Sequence, residues 1–122
     1  MPASLGKCAK LKGLILYANQ LTGPIPDALG QCGALENLQL QRNKLTGGVP
    51  ASLGKCTKLM KLKLEANRLE GAVPAAELAA LTALTFLQLD QNEGLTITAS
   101  GAHALKKALP NAKLWLPKEV AG

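Results

Sequence analysis

The chain has 122 residues and a mass of 12.7 kDa, which is the size of one domain. It contains 25 leucines and 19 alanines, and this apolar content excludes ordinary disorder because so much apolar surface collapses in water. Charged or polar residues interrupt every apolar run before the ~18 residues that a spanning helix needs, so we expect no membrane insertion. The first residues, 1–7, lack the apolar core of a secretory signal. For the chain as given, this predicts a cytoplasmic or otherwise intracellular location.

An internal repeat of 24 residues organises the chain. Three segments align in sequence, at 5–28, 29–52 and 53–76, and a fourth, looser unit begins at Leu78. Each unit carries the pattern LxxLxLxxNxL, except that Gly94 inserts one residue before the last leucine of the fourth unit. This pattern is the leucine-rich-repeat signature. The LxL alternation predicts a short strand with both leucines on one face, and a single strand of this length cannot bury them. We therefore expect the units to stack, so that their strands pair in parallel and their leucines form one core.

The asparagine of each unit has a structural role in this prediction. Its amide carries both a donor and an acceptor, which can serve backbone groups left unpaired where the strand turns away. Replacing it with alanine is expected to be costly. The four asparagines are Asn19, Asn43, Asn67 and Asn92.

The second half of each unit indicates the subclass. Residues 21–26 read LTGPIP and residues 45–50 read LTGGVP. These segments closely resemble the LTGxIPxxLG pattern of plant-type leucine-rich repeats, as in receptor kinases and polygalacturonase inhibitors. The resemblance covers residues 1 to about 92 and implies a second short strand on the convex side, followed by a 3₁₀ turn after the LG step. The third unit departs from the pattern at Glu70 and Ala72, so a less regular second strand is expected there.

The repeat pattern changes after Asn92. The run from Gly94 to Leu116 looks like the longer, helix-bearing unit of ribonuclease-inhibitor-type repeats. We expect a helix near 100–109, with Ser100 as its N-cap and Pro110 marking its end. Residues 114–116 then predict a fifth LxL strand, and we interpret 94–122 as a C-terminal cap.

These features predict an α/β fold consisting of one right-handed solenoid domain over residues 1–122. It would have a parallel concave β-sheet, 3₁₀ turns and second strands on the convex side, and a C-terminal cap helix. The expected rungs lie near 5–28, 29–52, 53–77 and 78–93, with the cap at 94–122. The chain opens halfway through a rung without a polar cap. Such an open edge leaves three expectations. The chain is a piece of a longer repeat array, a partner protein covers the edge, or two copies of the chain form a homodimer through it.

The sequence favours no catalytic, metal or cofactor site. Cys8, Cys32 and Cys56 occupy one phase of the repeat, which predicts packing positions, and a zinc site would need a fourth ligand when only His103 is present. No nucleophile elbow, phosphate loop or HExxH motif occurs. Glu65 and Asp90 share a phase on neighbouring rungs, about 5 Å apart at strand spacing, and paired carboxylates at such a distance can support glycosidase chemistry. On a hydrated sheet rich in lysine, however, they are expected to serve recognition, and the chain is not expected to be an enzyme.

The strongest functional signal lies on the expected concave face. Residues that flank the core leucines form three solvent-facing columns there, and all three aromatic residues of the chain fall on them. Aromatic side chains with polar neighbours are usual anchors of binding surfaces, although these could instead seal the two ends of the solenoid. The candidate binding residues are Tyr17, Asn37, Gln39, Gln41, Arg42, Lys61, Lys63, Glu65, Phe86, Gln88, Asp90 and Trp115.

The formal net charge is +6. Lys7 and Lys55 share one repeat phase, and Lys10 and Lys58 share another, so lysines line one flank of the strands. This flank either keeps the solenoid soluble or attracts an acidic partner. The concave face mixes both signs of charge, which favours a protein or peptide ligand over nucleic acid. The sequence therefore predicts a non-catalytic protein-protein interaction scaffold, with a role such as signalling. The alternative is a structural segment of a longer receptor-like protein without a ligand of its own, which would be extracellular if its parent carries a signal.

Overall fold

The LxL segments form one parallel sheet in the computed structural model, which describes all of residues 1–122. Its five strands are adjacent in chain order: Gly13–Ile15 (β1), Asn37–Gln39 (β3), Lys61–Lys63 (β5), Phe86–Gln88 (β7) and Lys113–Trp115 (β9). The register aligns equivalent residues of successive repeats, since Leu62 lies between Leu38 and Leu87. The α/β solenoid that the repeat predicts is confirmed.

The leucines behind this sheet stack into a single core. Leu38, Leu62 and Leu87 have no exposed surface, and 25 buried apolar residues form one continuous cluster. The equivalent leucines at the two ends, Leu14 and Leu114, are half-buried because each has a neighbouring strand on one side only. Burial, and with it the hydrophobic stabilisation, is therefore greatest in the central rungs.

The second strands lie on the convex side, as Thr22–Pro24 (β2), Lys44–Thr46 (β4), Glu70–Ala72 (β6), Gly94–Thr98 (β8) and Lys118–Val120 (β10). β2 pairs with β4, and β6 pairs with β8, which pairs with β10. The irregularity expected in the third unit takes the form of a break between β4 and β6, although β6 itself forms. The Glu70 N–H still donates to the Gly47 carbonyl across this break, at 2.9 Å.

Short helical turns complete each rung. They are Ala3–Lys7, Asp27–Gln31 and Ala51–Lys55, all 3₁₀, and the single α-helical turn Ala75–Leu78 (α1). Neighbouring turns approach so closely that a Cβ at Gly30 would lie 2.5 Å from the Ser52 carbonyl oxygen. This close approach explains the glycine of the LG step.

The C-terminal unit carries the longer helix Ala99–Ala108 (α2), which follows β8 directly. The N-cap predicted at Ser100 is wrong, because Thr98 is the last extended residue and its Oγ1 accepts the Gly101 N–H at 2.9 Å. Ser100 instead lies in the first turn. Ala102 and Leu105 are buried against the core, so α2 covers its C-terminal end. Neither helix combines the length and apolar character needed to cross a membrane.

An asparagine ladder joins the rungs at the end of the concave strands. The Asn67 Nδ2 donates to the carbonyl of Leu40 at 3.0 Å and to that of Leu64 at 3.1 Å, which belong to the preceding rung and to its own. Its Oδ1 accepts the Leu45 N–H at 3.1 Å. Asn43 and Asn92 bond in the same way to their own and the preceding rung. Each buried amide therefore satisfies backbone groups that have no strand partner.

We expect Asn67→Ala to lower the free energy of unfolding by about 2–4 kcal/mol, because it leaves buried backbone donors and acceptors unpaired. Asn19→Ala is the matched control. Asn19 is exposed and its side chain bonds only to carbonyls of its own rung, Leu16 and Tyr17, so a loss below about 1 kcal/mol is expected. Urea denaturation followed by circular dichroism measures both, and equal losses would contradict the ladder's role.

Candidate functional site: the concave face

Residues that alternate with the core leucines line the concave face in three columns. The first column contains Gly13, Asn37, Lys61, Phe86 and Lys113. The central column contains Ile15, Gln39, Lys63, Gln88 and Trp115. The third column, two residues further on, contains Tyr17, Gln41, Glu65, Asp90 and Pro117. Backbone hydrogen bonds continue beside the third column, as where the Arg42 N–H donates to the Glu65 carbonyl at 3.0 Å.

Two of the three aromatic residues meet on this face. The rings of Phe86 and Trp115 stack with centroids 5.5 Å apart and an interplanar angle of 16°. The ammonium groups of Lys61 and Lys113 lie 5.8 and 5.7 Å from the Phe86 centroid, within the range of a cation–π contact. We call these four residues the aromatic patch. Trp115 remains 37% exposed, whereas Phe86, which the sequence predicts to be exposed, is half-buried because Trp115 stacks on it.

Two shallow hollows adjoin the aromatic patch. One, of about 210 Å³, is lined by Gln39, Lys61, Lys63 and Phe86. The other, of about 190 Å³, is lined by Glu36, Asn37, Met60 and Lys61. The hollows therefore offer an aromatic ring, an apolar thioether and several hydrogen-bonding groups within one small area.

Sequence reasoning missed Met60 as a candidate. Its side chain is 46% exposed beside the aromatic patch, although it precedes β5 and belongs to none of the three columns. The equivalent position in the first two units is polar, with Lys12 and Glu36. The sequence signal that could have identified Met60 is an apolar residue at a repeat position that is polar in the other units.

The third column differs from the sequence expectation of a solvent-facing row. Gln41 and Glu65 are 7% and 9% exposed, so both are buried, and Asp90 is half-buried. Side chains at one phase of adjacent rungs lie only about 4.8 Å apart, so the members of this row cover one another. Glu65 also forms the only ion pair of the structure, in which its Oε2 lies 3.6 Å from the Lys63 Nζ.

The remaining candidates lie around this arrangement. Tyr17 is half-exposed beside the edge strand β1, three strands from Phe86, and is a separate contact point. Arg42 lies in the turn after β3 with a left-handed φ of 60°, at the rim of the face. Gln88 is half-buried on β7, and the Gln39 Nε2 donates to the Asn37 Oδ1 at 3.0 Å.

The cysteines follow the three 3₁₀ turns and lie in two different environments. The Sγ atoms of Cys32 and Cys56 are buried and donate to the carbonyls of Leu5 and Leu29 at 3.3 and 3.4 Å. Burial raises the pKa of both thiols, and a neighbouring cysteine raises each further. Cys8 is exposed. No group of three or more His, Cys, Asp or Glu residues is arranged to hold a metal ion.

Comparisons with known proteins identify relatives of this architecture. Two models of the leucine rich repeat match residues 10–32 and 34–93. None of the curated proteins matches the chain in sequence. Among solved structures, the plant peptide hormone receptor RGFR1 in complex with RGF2 is 33% identical with a TM-score of 0.85, over 98% of this chain and 18% of that one.

Two further structures show how widely the fold is used. The Arabidopsis receptor kinase HAESA, in complex with the peptide hormone IDA and the co-receptor SERK1, is 34% identical with a TM-score of 0.82, over 98% of this chain and 20% of the HAESA chain. A plant ice-binding protein is 28% identical with a TM-score of 0.85 over 97% of this chain and 37% of its own. The chain thus spans about a fifth of the two receptor chains.

The thiol environments predict selective labelling. In the folded protein at pH 8, we expect Cys8 alone to react rapidly with Ellman's reagent, because Cys32 and Cys56 are buried and held as thiols by their raised pKa values. All three cysteines should react after unfolding in guanidinium chloride. Rapid labelling of a second thiol in the folded protein would show that the repeat interior is open.

Substitution of both stacked aromatics, Phe86→Ala with Trp115→Ala, should lower the free energy of unfolding by no more than about 1.5 kcal/mol, because the rings lie on the face opposite the leucine core. Leu62→Ala, on the core side of the adjacent strand, is expected to cost about 2–5 kcal/mol. Chemical denaturation of the variants measures the difference. A loss at the aromatic pair as large as that at Leu62 would show that the pair seals the core.

Proposed function

Because this chain belongs to the leucine-rich repeat family and carries the plant-type repeat, we propose that it is a non-catalytic scaffold that binds a protein or peptide on its concave face. The observation that carries the proposal is the stacking of Phe86 and Trp115 on the outward side of the sheet. The core-side positions next to them are leucines, since Leu87 is buried and Leu114 and Leu116 are half-buried. Large aromatic rings on a polar, regular face supply the contact area that binding anchors need.

The surroundings of the aromatic patch fit a hot spot. The hollow lined by Gln39, Lys61, Lys63 and Phe86 provides space beside the ring for one side chain of a ligand. The glutamine and lysine groups around it match the polar rim that excludes water from the centre of a protein interface. We therefore expect an apolar ligand side chain in this hollow, with acidic groups of the ligand near the lysines.

The relatives support a protein or peptide partner. The structure of RGFR1 is a complex with RGF2, and that of HAESA is a complex with the peptide hormone IDA. Both receptors are about one third identical to this chain in sequence. The chain covers about a fifth of each receptor chain. We therefore propose, by similarity to these receptors, that it also binds a protein or peptide. If the chain is part of such a receptor, an extracellular location follows in place of the intracellular one expected for the chain as given.

The carboxylate pair is better suited to recognition than to catalysis. Glu65 is buried and its Oε2 faces the Lys63 ammonium, so it is poorly placed to activate a water molecule in the way that a glycosidase requires. This arrangement supports a scaffold without enzymatic activity.

Self-association through the edge strand is a further part of the proposal. Leu14 on β1 is half-buried and Ile15 is 51% exposed, so pairing with a second copy would bury apolar surface and backbone hydrogen-bonding groups. Sedimentation equilibrium of the wild type and of Ile15→Lys distinguishes this homodimer from a monomer that uses its concave face alone.

The proposal is tested by affinity capture from a lysate of the source organism. The immobilised protein is either the wild-type chain or the Phe86→Ala, Trp115→Ala double variant. The captured protein is identified by mass spectrometry, and its affinity for the purified chain is measured by calorimetry. Loss of two central aromatic contacts is expected to weaken binding at least about 100-fold. Val120→Ala, which removes an exposed apolar side chain from the convex strand β10, is the matched control and should bind as the wild type does.

Three outcomes contradict the proposal. Equal affinity of the wild type and the double variant would place the site away from the aromatic patch. Capture that is abolished by nuclease treatment would indicate nucleic acid bound to the lysine-rich flank. Absence of any specific partner would favour the alternative, a structural segment of a longer receptor-like protein.

A further inference from the structure

The third column of the concave face contains a row of acceptor oxygens that lack hydrogen-bond donors. The Oε1 of Gln41, the Oε1 of Glu65 and the Oδ1 of Asp90 are buried atoms to which no group of the protein donates. The three residues occupy one repeat phase after the consecutive strands β3, β5 and β7, so neighbours in the row are about 4.8 Å apart. Buried acceptors without donors are rare in native proteins, and three in one row point to a donor supplied from outside.

The charge balance of the row is also incomplete. Glu65 and Asp90 contribute two carboxylates, and Lys63 is the one cation that pairs with either of them, through the Glu65 Oε2. Arg42 follows Gln41 in sequence but is exposed and forms no ion pair. One unit of negative charge therefore remains uncompensated among these groups.

We infer that Gln41, Glu65 and Asp90 form a subsite for the guanidinium group of an arginine side chain in the ligand. This inference rests on the proposed function of the concave face, and it specifies the chemistry of one ligand residue. A guanidinium carries one positive charge and five N–H donors in a plane, so once these side chains rotate their buried oxygens toward the open face, it can donate to oxygens on adjacent strands at once. A lysine ammonium is more compact and reaches fewer of these positions.

A metal ion fits the row less well. The row provides only two carboxylates, and the structure contains no group of three or more His, Cys, Asp or Glu residues arranged for a metal. Calcium prefers six to eight oxygen ligands, which this open row with a lysine beside it does not supply.

The subsite makes the two sides of the concave face chemically different, so a ligand would bind in one orientation. Phe86 and Asp90 are four residues apart along the same rung, which corresponds to roughly 13 Å in an extended segment. The aromatic patch, with Lys61 and Lys113, therefore lies at one side of the face and the acceptor row at the other. We expect a ligand with an arginine about four extended residues away from an apolar residue that has acidic neighbours.

The probe for this subsite is N-acetyl-arginine amide, titrated into the ¹⁵N-labelled full chain and followed by heteronuclear NMR. We expect millimolar binding with shifts at the Gln41 side-chain amide and at the Glu65 and Asp90 backbone amides. N-acetyl-citrulline amide has nearly the same shape without the charge and should bind at least tenfold more weakly. N-acetyl-lysine amide should also bind more weakly, and calcium chloride should not shift these resonances.

The double variant Glu65→Gln, Asp90→Asn keeps the side-chain shapes and should reduce arginine amide binding at least tenfold. Glu70→Gln, which neutralises an exposed carboxylate on the convex strand β6, is the matched control and should have no effect. An unchanged pattern of the remaining resonances verifies that the variants fold. If the double variant does not fold, Asp90→Asn alone, at a half-buried position, provides the same comparison.

Equal binding of arginine and citrulline amides, no shift at these residues, or calcium binding in place of arginine would overturn the inference. These outcomes are separable from failure of the proposed function. If arginine amide does not bind while capture still depends on Phe86 and Trp115, only the subsite is wrong. If arginine amide binds at the row but captured proteins ignore the aromatic substitutions, the aromatic anchor is wrong and the subsite stands.

Discussion

The buried asparagine amides are the interaction on which the rest of this structure depends. Each concave strand is only three residues long, and the chain leaves it through a left-handed residue such as Ala66, with a φ of 57°. L-amino acids disfavour this conformation, and the turn also removes backbone groups from the strand ladder. The asparagine that follows bonds to carbonyls of its own and the preceding rung, as Asn67 does. The same side chain therefore compensates for the turn and holds neighbouring rungs in register.

This register converts a one-dimensional repeat into columns of side chains. Equivalent positions of successive units lie about 4.8 Å apart, so what a residue contacts depends chiefly on the same position one unit earlier or later. The stacking of Phe86 on Trp115 and the burial of Glu65 beside Gln41 and Asp90 both follow from this spacing. Substitutions on the concave face can therefore change the local chemistry while the leucines and asparagines maintain the fold. Similarity to peptide hormone receptors and to an ice-binding protein is consistent with that separation of fold and function.

The charged residues are distributed differently on the flank and on the concave face. The net charge of +6 describes the whole molecule, and several of the lysines lie on the flank, at positions such as Lys7 and Lys55. On the concave face, the lysines of the aromatic patch are several residues away from the carboxylates of the third column. A ligand that crosses this face from the first column to the third meets Phe86 with its flanking lysines first and the acceptor oxygens last. Such an arrangement favours a partner with a defined sequence and direction over a uniformly charged polymer.

The sequence by itself determined the period, the five LxL strands, the leucine core and the outward position of Trp115, because these depend on alternation and spacing that each unit carries within itself. Only the tertiary structure decided which positions are covered by their neighbours. It buried Gln41 and Glu65, half-covered Phe86, left Cys8 exposed while Cys32 and Cys56 are buried, and interrupted the convex sheet before β6. It also made Thr98 the N-cap of α2, since the end of β8 determines where that helix begins. Burial and capping depend on contacts between residues about 24 positions apart or on the exact end of an element, and a pattern read within one unit does not contain that information.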